Sequence, residues 1–182
     1  MPNKPFTFYN VPFSCMIKIG LLSDTHSFLP PQVFQHFKDV DEIWHAGDIG
    51  STVLSDELEK FKPLRAVWGN IDGADMRIRY KEHLHFSIEE VSVYMTHIGG
   101  YPPSYNAISK PQILKHRPHL FISGHSHILK VMPDPVLNLL HINPGACGKH
   151  GWHRVSTLVR FVIEHDRVTK LEVVELGKKG IE

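Results

Sequence analysis

Five apolar stretches of strand length in this chain each stop at a polar group of metal-ligating type. The groups are Asp24-Thr25-His26, Gly47-Asp48, Gly69-Asn70-Ile71-Asp72, His97 and Gly124-His125-Ser126-His127. The anchors His26, Asp48, Asn70, His97 and His125 are 22, 22, 27 and 28 residues apart, about the length of one strand with its crossover. A chain that repeats this unit is expected to return its strand ends to one sheet edge, and in open α/β sheets that edge is where ligands bind.

The intervening segments fit the same reading. Residues 16–22 (MIKIGLL) are apolar on both faces, as in a strand covered on both sides. Residues 30–38 carry Val33, Phe34 and Phe37 at helical spacing, 42–46 read as strand, 52–61 as a second helix and 63–68 as a third strand. This β-α-β-α-β order predicts a largely parallel sheet with right-handed crossovers. After residue 84 the chain is richer in strands: 84–88, 91–96, 120–122, 128–132, 136–142, 155–163 and 167–175, with one helix over 106–115. So many strands exceed one comfortable sheet. The expected architecture is a four-layer α-β-β-α sandwich of two mixed β-sheets, packed face to face with helices outside. Alternation in 89–95 and 167–174 predicts half-exposed antiparallel strands late in the chain.

The 182 residues suit a single domain, expected over 16–182, with residues 1–15 as an N-terminal extension and Met16 as an alternative start. Twenty Lys and Arg against nineteen Asp and Glu leave a formal charge of +1. A dedicated nucleic-acid binder would be more basic, so nucleic acid is not an expected partner. No stretch is long and apolar enough to cross a membrane, and the start lacks a signal-peptide pattern, so a cytoplasmic protein with no membrane partner is expected. Cys15 and Cys147 are too few for a disulfide framework and lack zinc-knuckle spacing.

The anchors offer imidazole, carboxylate and amide groups without a thiolate, a donor set for manganese, iron, nickel or zinc. Seven side chains exceed what one ion takes. Alone, Asp24 would pass for a turn residue and Asp48 for a helix cap; their shared position at strand ends argues for a site.

The motifs D-x-H at 24–26, G-D at 47–48, G-N-x-D at 69–72, lone His97 and G-H-x-H at 124–127 together resemble the calcineurin-like metallophosphoesterases, over residues 16 to about 165. By size the chain is similar to the small bacterial or archaeal phosphodiesterase branch, to which the eukaryotic retromer subunit is related. The resemblance implies a two-sheet sandwich and two divalent ions, manganese first and iron, nickel or zinc as alternatives. It implies Asp24, His26, Asp48 and His127 on one ion and Asp48, Asn70, His97 and His125 on the other, with Asp48 and Asn70 in catalytic roles. A hydroxide between the ions would attack a small phosphate ester, a diester before a monoester, and the site would keep a net positive charge for the anion. The rival is a protein-binding scaffold like the retromer subunit, with weak or lost activity. A homo-oligomer is compatible with either reading.

Two departures stand out. Many relatives carry a histidine within G-N-H-D that protonates the leaving group, and here that position is Ile71. Gly-His often follows the lone histidine, whereas this chain reads His97-Ile98-Gly99-Gly100. Asp72 reads equally as an orienting carboxylate behind the ligands or as a local turn former. Asn143-Pro144-Gly145 is first of all a turn. The loop with Lys149, His150, His153 and Arg154 offers phosphate contacts, with His153 and Arg154 as the substrate-binding candidates. Tyr101 to Tyr105 (YPPSY) is expected at the cleft mouth, as an aromatic platform. His45, three positions before Asp48, is not expected to reach the ions.

Overall fold

The computed structural model describes residues 16–178, so the expected extension over 1–15 lies outside the described residues. In chain order the first half holds β1 (Met16–Leu22), α1 (Gln32–His36), β2 (Glu42–His45), α2 (Thr52–Phe61), β3 (Leu64–Ala66) and α3 (Ala74–Arg79). There follow β4 (His83–Ile88), β5 (Val91–Thr96), β6 (Gly100–Tyr101), β7 (Ser104–Tyr105), α4 (Ser109–His116) and β8 (Leu120–Ile122). The last elements are β9 (Leu129–Asp134), β10 (Leu139–Pro144), β11 (Val155–Glu164) and β12 (Arg167–Lys178).

Alternate residues of a strand face opposite ways, and β1 is apolar both ways, so it must lie between two apolar layers. Leu21 packs into one core with Trp44, Val93, Met95, Ile122 and Phe161, and Leu22 into another with Val33, Phe37, Leu54 and Leu58. The first core fills the space between two five-stranded sheets, of order β12-β11-β1-β2-β3 and β4-β5-β8-β10-β9. The second lies beneath α1 and α2 on the outer face of the first sheet, and a third (Tyr94, Ile113, Phe121, Leu139) beneath α4 on the outer face of the second. The α-β-β-α layering therefore follows from strands that are apolar on both faces. Both sheets are mixed. β1, β2 and β3 are parallel, as are β5, β8 and β10, while β11, β12, β4 and β9 add antiparallel edges.

The five ligand-bearing segments thus do not share one sheet edge, as their spacing suggested. Three follow strands of the first sheet and two follow strands of the second, and the two sets of parallel strands end side by side. Other differences are local. The strand expected over 136–142 starts at Leu139, because the Asp134 carboxylate accepts hydrogen bonds from the amides of Val136 (2.9 Å) and Leu137 (3.1 Å) and fixes a turn there. The short α3 and the β6–β7 hairpin lack the periodicity that would announce them. No helix among the described residues is long and apolar enough to cross a membrane.

Two histidines are sealed within this frame. His141, on the outer face of β10, is fully buried, its Nε2 3.0 Å from the Ser123 hydroxyl, and burial pushes its pKa down to about 4. His45 is equally buried, and burial again pushes its pKa down to about 4. Because these folded-state values lie below the unfolded value of about 6.5, the unfolded chain binds more protons between them. Stability is therefore complete above that range and falls as pH drops through it. In chelator-treated protein, His141 alone should remove about 2 kcal/mol of unfolding free energy between pH 7 and pH 5. Urea unfolding of the His141→Gln variant should show a correspondingly shallower pH slope, and an unchanged slope would mean that His141 is hydrated.

Candidate metal centre

Three of the segments that leave parallel strands toward the shared end, those after β1, β2 and β8, turn sharply with strained backbone. Asp24, His26, Ser27, Asp48, His125 and His127 all have positive φ, between 47° and 69°. For residues with a Cβ this left-handed region costs on the order of 1–2 kcal/mol each. Cross-loop bonds hold the conformation: the amides of Asp24, His26 and Ser27 donate to the carbonyls of Gly47 (3.0 Å), Asp48 (3.0 Å) and Ile49 (2.9 Å). Strain concentrated in this way marks a functional site.

The strain brings the polar side chains together in two groups. The ligand atoms of Asp24, His26 and His127 all lie within 4.8 Å of one another, and so do those of Asp48, His97 and His125. His127 Nε2 is 3.1 Å from Asp24 Oδ1, and His97 Nε2 is 3.2 Å from Asp48 Oδ1. Asp48 Oδ2 lies 3.5 Å from His26 Nε2, so its carboxylate reaches both groups. These separations are what two bonds of about 2.1 Å to one ion would span.

The electrostatics couple these groups closely. His97 Nδ1 is 2.8 Å from the Ala46 carbonyl, which can only accept, so Nδ1 carries a proton and Nε2 is the ring atom that faces the carboxylates. Burial pulls His97 down, but Asp48 and Asp24 outweigh it and raise its pKa above the ordinary histidine value. Burial would raise Asp48, yet the His97 imidazole beside it holds it below the usual carboxylate range. Burial lowers His26 and His125, which favours their neutral, ligating forms. Asp24 Oδ1, His26 Nε2 and His97 Nε2 are buried without a hydrogen-bond partner among the described residues. Buried polar atoms of this kind are rare unless something else satisfies them, and a divalent cation fits both their sign and their chemistry.

A layer of neighbours fixes these positions. Asp72 proves to be a clamp between loops: its carboxylate accepts from the amides of Ile49 (3.2 Å), Gly50 (2.7 Å) and Gly69 (2.8 Å), tying the loop of Asp48 to that of Asn70. His45 does not reach the ligands. Its Nδ1 accepts from the Gly47 amide (3.2 Å), so Nε2 donates to the Thr25 hydroxyl (2.9 Å), which donates to the Ile49 carbonyl (3.0 Å). Asn143 is more than a turn residue, since its side-chain amide donates to the Gly124 carbonyl (2.8 Å) and to Ser126 Oγ (3.1 Å), holding the loop of His125 and His127. Cys147 is no ligand: it is buried in the helix-side core, and burial raises its thiol to about 12.

Above the ligands opens a pocket of about 540 Å³. His26, Asp48, Asn70, His125 and His127 line it, while Asp24 and His97 lie beneath, almost wholly buried. His153 also lines it, its Nε2 3.0 Å from the Gly148 carbonyl, and so does His150, whose ring centroid is 4.8 Å from that of His26. Arg154 is exposed and lies outside that lining. Tyr101 and Tyr105 also lie elsewhere, Tyr101 beneath Lys130 and Tyr105 bonded to Asp134. The aromatic at the mouth is instead Trp152, fully exposed, with Ile71 and Ile128 as further apolar lining. An isolated tryptophan in a loop gave no periodic signal by which to find it.

This geometry agrees with what the chain is similar to. The sequence profile of the calcineurin-like phosphoesterase superfamily domain matches residues 17–166. A curated protein of Methanothermobacter thermautotrophicus, named "Probable metallophosphoesterase", is 35% identical over 135 residues, spanning 70% of this chain and 76% of that protein. In fold, the chain is similar to an archaeal phosphodiesterase (TM-score 0.71, 23% identity, 88% of this chain and 100% of that one). It is also similar to vacuolar protein sorting 29 of Cryptosporidium parvum (TM-score 0.70, 16% identity, 90% of this chain and 97% of that one). With the family profile spanning most of the chain and the donors gathered at its strand ends, the chain belongs to the calcineurin-like phosphoesterase superfamily.

Proposed function

We propose that this chain is a cytoplasmic, metal-dependent phosphoesterase that uses two divalent ions, manganese first and iron, nickel or zinc as alternatives, and prefers phosphodiesters to monoesters. The observation that carries the reading is the pair of ligand triads meeting at the Asp48 carboxylate, with buried donor atoms left without hydrogen bonds. Asp24, His26 and His127 with Asp48 would hold one ion, and Asp48, Asn70, His97 and His125 the other. Bound there, divalent ions lower the pKa of water and neutralise charge on a phosphoryl group.

The protein's own part is positioning. Asn70 presents an exposed amide at the pocket wall, and His150 and His153 line the same pocket, where they would contact the phosphoryl oxygens of a bound ester. Arg154 is retained as a substrate contact only at the outer rim. The described pocket lining contains no Lys or Arg, which suits the single charge of a diester better than the double charge of a monoester. Ile71 stands where relatives place a proton donor, so leaving groups that depart as anions should be favoured, a difference of roughly 10²- to 10⁴-fold where such an acid acts.

The test is to strip the protein with chelator and titrate manganese by calorimetry, assaying bis-nitrophenyl phosphate and nitrophenyl phosphate alongside. Two ions per chain, with faster turnover of the diester, are expected. A protein that binds no ion and hydrolyses neither ester would instead be a scaffold of the retromer-subunit kind.

A further inference from the structure

Next to the metal pocket lies a second cavity of about 210 Å³. Asn70 lines both cavities, and His97 forms part of the second one's floor with Thr96 and Gly69. One wall is built from Trp68, with the Arg77 guanidinium laid over its ring at 4.3 Å from the centroid. Further lining comes from Ile98 and Ile108, which are 40% and 60% exposed although both are large and apolar. Polar edges are supplied by Glu82, His83 and Asn106, with His83 held by the hydroxyls of Thr96 (2.9 Å) and Tyr94 (3.2 Å).

Such a cavity is smaller than the roughly 300 Å³ at which sites for whole drug-sized ligands begin, so it suits part of a ligand. Indole, guanidinium and aliphatic surfaces favour a flat ring, which can stack on the first two and exclude water from the last. Hydrogen-bonding groups at the edge favour a ring that carries heteroatoms.

We propose that this cavity receives the second, non-leaving substituent of a phosphodiester, and that this substituent is a planar aromatic or heteroaromatic ring such as a nucleobase or aryl group. A phosphate group beside Asn70 would then send one substituent toward Trp152, Ile71 and Ile128 and the other toward Trp68 and Ile108. A monoester would leave one cavity empty. The inference rests on the diester reading above and names the substrate class for that same site.

The test compares methyl nitrophenyl phosphate with bis-nitrophenyl phosphate, identical in leaving group and different in the second substituent, on the manganese-loaded wild type, Trp68→Ala and Ile108→Asp. In each variant kcat/KM for the diaryl ester should fall roughly tenfold more than for the methyl ester, the scale of losing one stacked ring. Ile108 is an exposed position, so Ile108→Asp keeps the test valid if Trp68→Ala does not fold. A readout that needs no turnover is the binding of diphenyl phosphate against dimethyl phosphate by calorimetry: the wild type should prefer the diphenyl ester, and both variants should lose that preference. Equal losses on both esters, or an undiminished preference in the variants, would overturn the subsite. Failure of the loaded wild type to hydrolyse either diester would instead defeat the phosphoesterase reading, and the binding experiment would still decide the cavity.

Discussion

The Asp48→Asn variant should lose at least about 10³-fold in kcat on a nitrophenyl diester, because charge stabilisation by bound metal is worth several kcal/mol and each 1.36 kcal/mol is tenfold in rate. Asp48 lies nearest to imidazoles of both ligand groups, 3.2 Å from His97 and 3.5 Å from His26, whereas Asp24 stays 3.9 Å from His97. Its loss should weaken both ions, whereas a ligand to a single ion should weaken one. Asparagine is the informative replacement, since it tolerates the left-handed conformation at φ 55° and can still accept the Ile71 amide bond of 3.0 Å. The fold should therefore persist, as circular dichroism would verify, while calorimetry shows both manganese sites weakened. Normal affinity at one of them would show that the carboxylate does not bridge.

Gly124→Ala is expected to disable the same centre by sterics alone. Gly124 has no special φ, so the need for glycine is space: a Cβ there would sit 2.1 Å from Ser23 Oγ, 2.8 Å from the Ala46 carbonyl and 3.0 Å from Asp24 Oδ2. The loop of His125 and His127 would have to withdraw from Asp24, against the 3.2 Å bond from the His125 amide to that carboxylate. Overpacking of this kind costs typically about 1–3 kcal/mol of stability, and misplacing catalytic groups by an ångström can cost about 10²-fold in rate. Metal affinity and kcat/KM should fall together. Adding Ser23→Ala removes the closest obstacle and should restore part of both. Wild-type activity in Gly124→Ala would mean that the loop does not seat against Asp24 in solution.

Much of the site was readable in one dimension because its residues sit at the ends of apolar runs, and a run announces its own end. Six of the seven ligand candidates fall into the two groups and Asn70 lines the pocket above them, and the N-terminal β-α-β-α-β unit and the two-sheet packing form as expected. The local pattern at Asp72 fits a turn former and an orienting carboxylate equally, and its three amide partners make it a brace between loops. The missed features share a cause. Helix α3 buries only Met76 in six residues and starts at Gly73 without a side-chain cap, so neither period nor capping signal was present. The aromatic platform expected at Tyr101 and Tyr105 is drawn off by Lys130 and Asp134, partners 29 residues distant in each case. Trp68 and Trp152 took the corresponding places near the site, and nothing local to either residue said so.

From the order of its residues alone this chain had its strands, the residue types at their ends and the class of ion those residues can hold. These depend on side-chain chemistry and on periodicities of two and 3.6 residues, which are local. Which sheet each strand joins, how the carboxylate of Asp48 comes to lie between two histidine sets, and which cavities flank Asn70 are set by contacts between segments distant in the chain. Such contacts follow from packing two twisted sheets over a common core, where the hydrophobic effect rewards burial without regard to sequence distance.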